Sequence, residues 1–319
     1  MKPNFTPLKS FVLLLMLILP GAISSQDIEF AVLPFNRVGN LIYVEAIVDE
    51  QSGYFLIDTG YRGVLLNKTY YDGMPTDLHL QGSNGIGGRL EYKNVDLRLG
   101  LLNVENIDAN VADLSKLTQS IGIPLHGMIG STFFQDFELM IDYRNNNVVL
   151  IKLDRNGEKT VELPTIVAPT DTLSFHFKGH LPVISVHIGG REFHLGIDTG
   201  AAANLFRSDS WSKLEEFVWD EREQFLRGLG TMRRKTKSGM LSEVHFEDIP
   251  FRSMRTLFGN IGHINRDLAG PNLDGIVGYE FLHQYTMAFN YRKQELYLWR
   301  VEPIEDAAEV DYTADNRDK

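Results

Sequence analysis

The chain has 319 residues, 43% of them apolar and 23% charged, an ordinary globular composition with room for a real core. A formal net charge of −11 disfavours nucleic acid or an anionic membrane surface as a partner. The absence of cysteine excludes disulfides, thiolate nucleophiles, Cys-ligated zinc and a lipidated N-terminal cysteine.

Taken in chain order, the N-terminus reads as a targeting segment. Lys2 and Lys9 flank or precede an apolar run from Phe11 to Leu19, followed by Pro20-Gly21 and the small residues Ala22, Ser24 and Ser25. That layout predicts a secretory signal peptide over residues 1–25, with an apolar run too short to persist as a membrane-spanning helix. The expected mature protein is exported, periplasmic or extracellular, and has no membrane attachment. An exported chain without disulfides must be held by its core, which suits a bacterial envelope better than a eukaryotic lumen.

Residues 28–38 and 41–48 read as strands, Gln51-Ser52-Gly53 as a turn, and residues 54–57 as a strand ending at Asp58. Val64-Leu65-Leu66 is apolar again. Gln81 to Gly88 is a glycine-rich hairpin tip, followed by an alternating strand over 95–99. A short helix is expected over 111–120 and another over 131–137, then strands over 139–143 and 148–153.

The second half replays this order, the kind of self-similarity to seek early. Residues 41–60 align without gaps to 181–200, an offset of 140, and residues 126–151 align to 274–299, an offset of 148. Loops absorb the difference. The expected organisation is an N-terminal unit over 26–158, a C-terminal unit over 159–301 and an acidic tail over 302–319. Strand-length apolar runs and few helical periods predict an all-β chain.

Each repeat carries the same chemistry: Leu56-Ile57-Asp58-Thr59-Gly60 and Gly196-Ile197-Asp198-Thr199-Gly200. One Asp-Thr-Gly is weak evidence, because Asp and Gly are common turn residues. Two copies at matching places in a repeat point to paired carboxylates. Two such groups brought close cannot both ionise, so the pair shares a proton. The ionised member can then take a proton from water while the protonated member polarises a carbonyl. The threonine hydroxyls could lock the two turns together, and the glycines let backbone N–H groups reach the carboxylates.

With these motifs the chain resembles the pepsin/retropepsin superfamily of aspartic proteases. The resemblance rests on the paired Asp-Thr-Gly turns and on Met128-Ile129-Gly130 and Ile276-Val277-Gly278, apolar-apolar-Gly segments that thread behind the turn in that family. Ile141-Asp142-Tyr143 and Phe289-Asn290-Tyr291 are similar to segments of bacterial single-lobe members. It implies two homologous retropepsin-like β-barrel lobes about a pseudo-two-fold axis, with a cleft between them, formed within one monomeric chain. It implies an aspartic endopeptidase acting on a peptide or protein substrate. Asp58 and Asp198 would be catalytic, supported by Thr59, Gly60, Thr199, Gly200 and Ala201, with no metal and no cofactor. Gly85, Ile86, Gly87 and Gly88 resemble a glycine-rich flap tip, whose bland alternative is an ordinary hairpin turn. Gly228-Leu229-Gly230-Thr231, beside the basic Arg233-Arg234-Lys235, is the weaker match in the second half.

One departure stands out. The family places a small residue after the motif, as Ala201 does, but the first copy continues Tyr61-Arg62. An arginine beside Asp58 would favour the charged carboxylate and lower its pKa. This feature motivates the alternative, an inactive pseudo-protease that binds peptides without cutting them. His176, His180, His187 and His194 fit no compact metal-ligand spacing and read as strand and loop residues. Asn67-Lys68-Thr69 is a glycosylation sequon.

Overall fold

A computed structural model describes residues 28–82, 85–226 and 234–300. The expected signal peptide, the acidic tail, and Gly228-Leu229-Gly230-Thr231 with Arg233 lie outside the described residues. The first half runs β1 (Phe30–Pro34), β2 (Asn36–Val38), β3 (Leu41–Val48), β4 (Gln51–Asp58), β5 (Val64–Asn67), β6 (Met74–Gly82), β7 (Gly85–Leu99), β8 (Leu102–Ala112), α1 (Ser115–Ile121), β9 (Leu125–Gly130), α2 (Ser131–Phe134), β10 (Phe137–Asp142) and β11 (Asn147–Lys152). The second half runs β12 (Asp171–Ser174), β13 (His176–Lys178), β14 (Leu181–Ile188), β15 (Arg191–Ile197), β16 (Asn204–Arg207), α3 (Trp211–Leu214), β17 (Val218–Leu226), β18 (Arg234–Leu241), β19 (Val244–Phe246), β20 (Ile249–Phe251), β21 (Met254–Gly259), α4 (Gly262–Asp267), β22 (Gly275–Val277), α5 (Tyr279–Leu282), β23 (Thr286–Asn290) and β24 (Glu295–Trp299). The protein is all-β.

Period-two alternation sets the first hairpin. In β3, Ile42, Val44, Ala46 and Val48 are buried, while the residues between them are partly or fully exposed. The turn that follows is Asp49-Glu50, with φ of 47° and 70°, so the expected turn at Gln51-Ser52-Gly53 is corrected. Two positive-φ central residues twist a hairpin in the sense that its strands require. Gly53 serves packing instead: a Cβ there would lie 2.1 Å from the His126 ring. The helix expected over 111–120 begins only at Ser115, because Val111 and Ala112 pair in parallel with Leu66 and Asn67. Sheet pairing overrides local helix propensity at that point. The helix from Ser131 stops at Phe134, since Phe137 already pairs with Lys152 in the next strand.

Strands β3, β4, β9, β5, β8 and β7 close into a six-stranded barrel, sealed by pairing of Ile47 with Arg98 and Val48 with Leu97. The second half repeats the central pairings. Strand β4 lies parallel to β9 as β15 does to β22, and β5 lies antiparallel to β9 as β16 does to β22. A further sheet takes strands from both halves in the order β1-β11-β10-β23-β24-β12, with β10 and β23 antiparallel at its middle. Phe55, Phe134, Phe206, Phe281 and Phe289 are fully buried. Each contributes about 1.5–3 kcal/mol of hydrophobic stabilisation.

Asn67 is buried, and its side-chain N–H donates to the Leu125 carbonyl at 2.7 Å. The sequon therefore carries no accessible acceptor in the folded protein.

Candidate active site

Strand β4 delivers Asp58 because Phe55, Leu56 and Ile57 are all buried, leaving the carboxylate as the first polar group at the strand's end. Asp58 pairs in parallel with Gly130. A Cβ on Gly130 would sit 2.3 Å from the Tyr61 carbonyl, so the residue behind the turn has no room for a side chain. The Ser131 N–H donates to that same carbonyl at 2.8 Å. The second turn is built alike. Asp198 follows β15, and its N–H donates to the Val277 carbonyl at 2.9 Å. A Cβ on Gly278 would meet the Ala201 carbonyl at 2.0 Å, and the Tyr279 N–H donates to that carbonyl at 3.1 Å.

The two turns meet. The Thr59 N–H donates to Thr199 Oγ1, and the Thr199 N–H donates to Thr59 Oγ1, each at 3.0 Å. The Thr199 hydroxyl donates to the Ile57 carbonyl at 2.7 Å, and the Thr59 hydroxyl donates to the Ile197 carbonyl at 3.4 Å. Both threonines are 1% exposed, so these bonds form away from water.

The same meeting brings the carboxylates together. Asp58 and Asp198 are in side-chain hydrogen-bond contact, each only partly exposed. The glycines are pressed against them: a Cβ on Gly60 would lie 2.4 Å from Asp198 Cγ, and one on Gly200 would lie 2.5 Å from Asp58 Cγ. The N–H groups of Gly60 and Gly200 converge on Asp198 Oδ1 at 3.1 and 2.8 Å. The Tyr61 N–H donates to Asp58 Oδ1 at 3.1 Å.

These contacts split the pair. Burial pushes both carboxyls up from their ordinary value. Asp58 rises well above it, because the facing Asp198 charge adds to burial. Asp198 rises too, but backbone bonds from Gly200 and Gly60 and the nearby His180 favour its charged form. The expectation that Arg62 holds Asp58 low is therefore corrected. The Arg62 side chain is exposed, and burial with the facing carboxylate dominates. Tyr61 turns its hydroxyl to accept from Asn110 Nδ2 at 2.9 Å.

Gly85, Ile86, Gly87 and Gly88 open strand β7 at the end of the β6–β7 hairpin, where Gly82 pairs with Gly85 and Gln81 with Ile86. The turn residues 83–84 lie outside the described residues. A cavity of about 320 Å³ lies beside β18 and β21, lined by residues that include Trp211, Lys237 and Phe258 but neither aspartate.

Of the four histidines, His176 and His194 lie together. His194 Nδ1 lies 3.0 Å from Ser185 Oγ, and His176 stands edge-on to His194. Of the four, His180 touches the first Asp-Thr-Gly turn, with Nε2 2.8 Å from the Gly60 carbonyl. The sequence reads it as a loop residue. The available signal was its place in the repeat, 140 residues after Asn40, in the turn before the matching strand.

No family model matches the chain, and no curated protein sequence matches it.

Proposed function

We propose that the protein is an aspartic endopeptidase whose single catalytic centre is the Asp58–Asp198 pair. The observation that carries the reading is the contact between two carboxyls whose turns are bolted together by reciprocal threonine bonds. The repeated pairings of β4 with β9 and β15 with β22, and the shared sheet joining the halves, support two retropepsin-like lobes facing each other across a cleft. In this reading the β6–β7 hairpin, with Gly85 to Gly88 near its tip, closes over a bound peptide as a flap.

The electrostatics assign the roles. Asp198, held by two backbone N–H groups, is the carboxylate, and Asp58 keeps the shared proton. Asp198 takes a proton from a water molecule as that water's oxygen attacks the peptide carbonyl carbon. Asp58 gives its proton to the carbonyl oxygen, producing a tetrahedral diol. Asp198 then returns its proton to the amide nitrogen, and Asp58 recovers one from the diol as the C–N bond breaks. Water has been added across the bond and both carboxyls are restored. Thr59 and Thr199 hold the geometry, and Gly60 and Gly200 make room for it. Ala201 supplies the carbonyl behind which Tyr279 threads.

The targeting layout of residues 1–25 extends the proposal to an exported enzyme. The alternative of a peptide-binding pseudo-protease rested on Arg62 disturbing the pair, and the exposed Arg62 side chain weakens that case.

The test is hydrolysis of a mixed peptide library across pH by the wild-type chain and by Asp58→Asn and Asp198→Asn. Cleavage that both substitutions abolish, and that a statine-type diol mimic blocks, is the expected result. Full activity in either variant would refute the assignment.

A further inference from the structure

Lys178-Gly179-His180-Leu181 forms the turn between β13 and β14, with Gly179 at φ 62°. The turn is anchored from behind. Lys178 is 1% exposed, and its ammonium donates to the carbonyls of Gly270 and Pro271 at 2.9 and 2.7 Å. A buried ammonium is expensive, and burial pulls its pKa down. Its fixed position leaves the next residue but one little freedom.

That residue, His180, crosses to the opposite Asp-Thr-Gly turn. A carbonyl can only accept, so the 2.8 Å contact with Gly60 O makes Nε2 the protonated ring nitrogen. The acceptor belongs to the peptide group whose N–H is that of Tyr61, and this N–H donates to Asp58 Oδ1 at 3.1 Å. A donor on the oxygen of a peptide polarises the whole group and strengthens its N–H as a donor. The first half offers a contrast. Its matching turn, with Gly39 at φ 58°, presents Asn40, whose Nδ2 donates to the Ala202 carbonyl at 2.8 Å. That contact bears on the other turn's flank and brings no titratable group.

We infer that His180 is a positioning residue of the dyad, tying the second-half hairpin to the Asp58 turn through Gly60 and easing ionisation of the carboxyl pair. The inference rests on the dyad reading for its catalytic consequence but not for its electrostatic one. An imidazolium there favours charge on Asp198 and, through the 60–61 peptide, on Asp58. The charged and titratable groups concerned are those two carboxyls on the far side and Lys178 on its own turn, tied to Gly270 and Pro271.

The test compares His180→Asn and His180→Ala with the wild-type full-length chain, following the aspartate carboxyl carbons by NMR titration and peptide hydrolysis as a pH–rate profile. Asn keeps an N–H donor for Gly60 O without an ionisable ring; Asn40 in the first half donates instead to the Ala202 carbonyl. Both variants should move the first ionisation of the pair, and the acid limb of kcat/KM, upward by roughly one pH unit. His180→Asn should keep plateau kcat within about threefold, while His180→Ala loses about tenfold in kcat at nearly constant KM. An unchanged carboxyl titration in His180→Asn overturns the inference, even if His180→Ala loses activity or fails to fold. A wild-type chain that hydrolyses nothing, with the titration shifted as stated, sinks the protease reading and leaves the His180 linkage standing.

Discussion

Thr59 and Thr199 exchange hydrogen bonds, backbone N–H to hydroxyl in both directions at 3.0 Å, between residues 140 positions apart in the chain. The exchange is nearly symmetric, but the onward bonds are not: Thr199 Oγ1 reaches Ile57 at 2.7 Å, whereas Thr59 Oγ1 reaches Ile197 only at 3.4 Å. A valine at either position keeps the shape and strands a buried N–H, costing about 1–3 kcal/mol. Thr199→Val should therefore destabilise the protein more than Thr59→Val, read as the larger drop in urea midpoint at unchanged slope. Equal midpoints would show that the second bond contributes nothing.

The glycines at the dyad test close approach rather than backbone freedom. Gly60→Ala would drive a methyl into Asp198, and Gly200→Ala one into Asp58, at 2.4 and 2.5 Å from the carboxyl carbons. Either substitution must push the carboxylates apart. Hydrolysis should fall by about a hundredfold or more, since misplacement by an ångström has that effect. Circular dichroism should report retained strand content. Near-normal turnover by Gly60→Ala would mean that the pair is not the catalytic group.

The raised carboxyls make stability depend on pH with a definite sign. In the unfolded chain an aspartate titrates near 3.9. Both folded values are higher, so their contribution is fully present below that pH and is lost as pH rises through the folded values. Asp58→Asn removes a penalty that exists only when the pair is forced to ionise. The variant should be more stable than wild type at pH 7, by on the order of 1 kcal/mol. The advantage should vanish near pH 3. Thermal melts at the two pH values measure this directly, and a variant less stable at pH 7 contradicts it.

Arg62 supplies the control. Its side chain is exposed beside the Asp58 turn, so Arg62→Ala should leave the acid limb of the pH–rate profile unchanged and alter the unfolding free energy in urea by no more than about 0.5 kcal/mol. A shifted acid limb would restore the arginine to the electrostatics of the pair.

Local chemistry made much of the scaffold legible. Strand ends at Asp58 and Asp198 follow from apolar runs meeting turn residues, and such signals need no knowledge of distant partners. The apolar-apolar-Gly segments are readable for the same reason, and they do lie beside the aspartate strands. Boundaries were less legible where pairing decided them. The strand that runs through Val111 and Ala112 is held by Leu66 and Asn67, which no local propensity contains.

What the sequence determined by itself was the all-β character and the two copies of a carboxylate-bearing turn, because alternation and turn chemistry are written within a few residues. Tertiary structure alone decided the electrostatics. Tyr61-Arg62 read as a cation that would lower Asp58. Folding instead leaves Arg62 exposed, crowds Asp58 against Asp198 and swings His180 onto Gly60. A pKa is set by burial and by charges within a few ångströms, and those neighbours come from residues more than a hundred positions away.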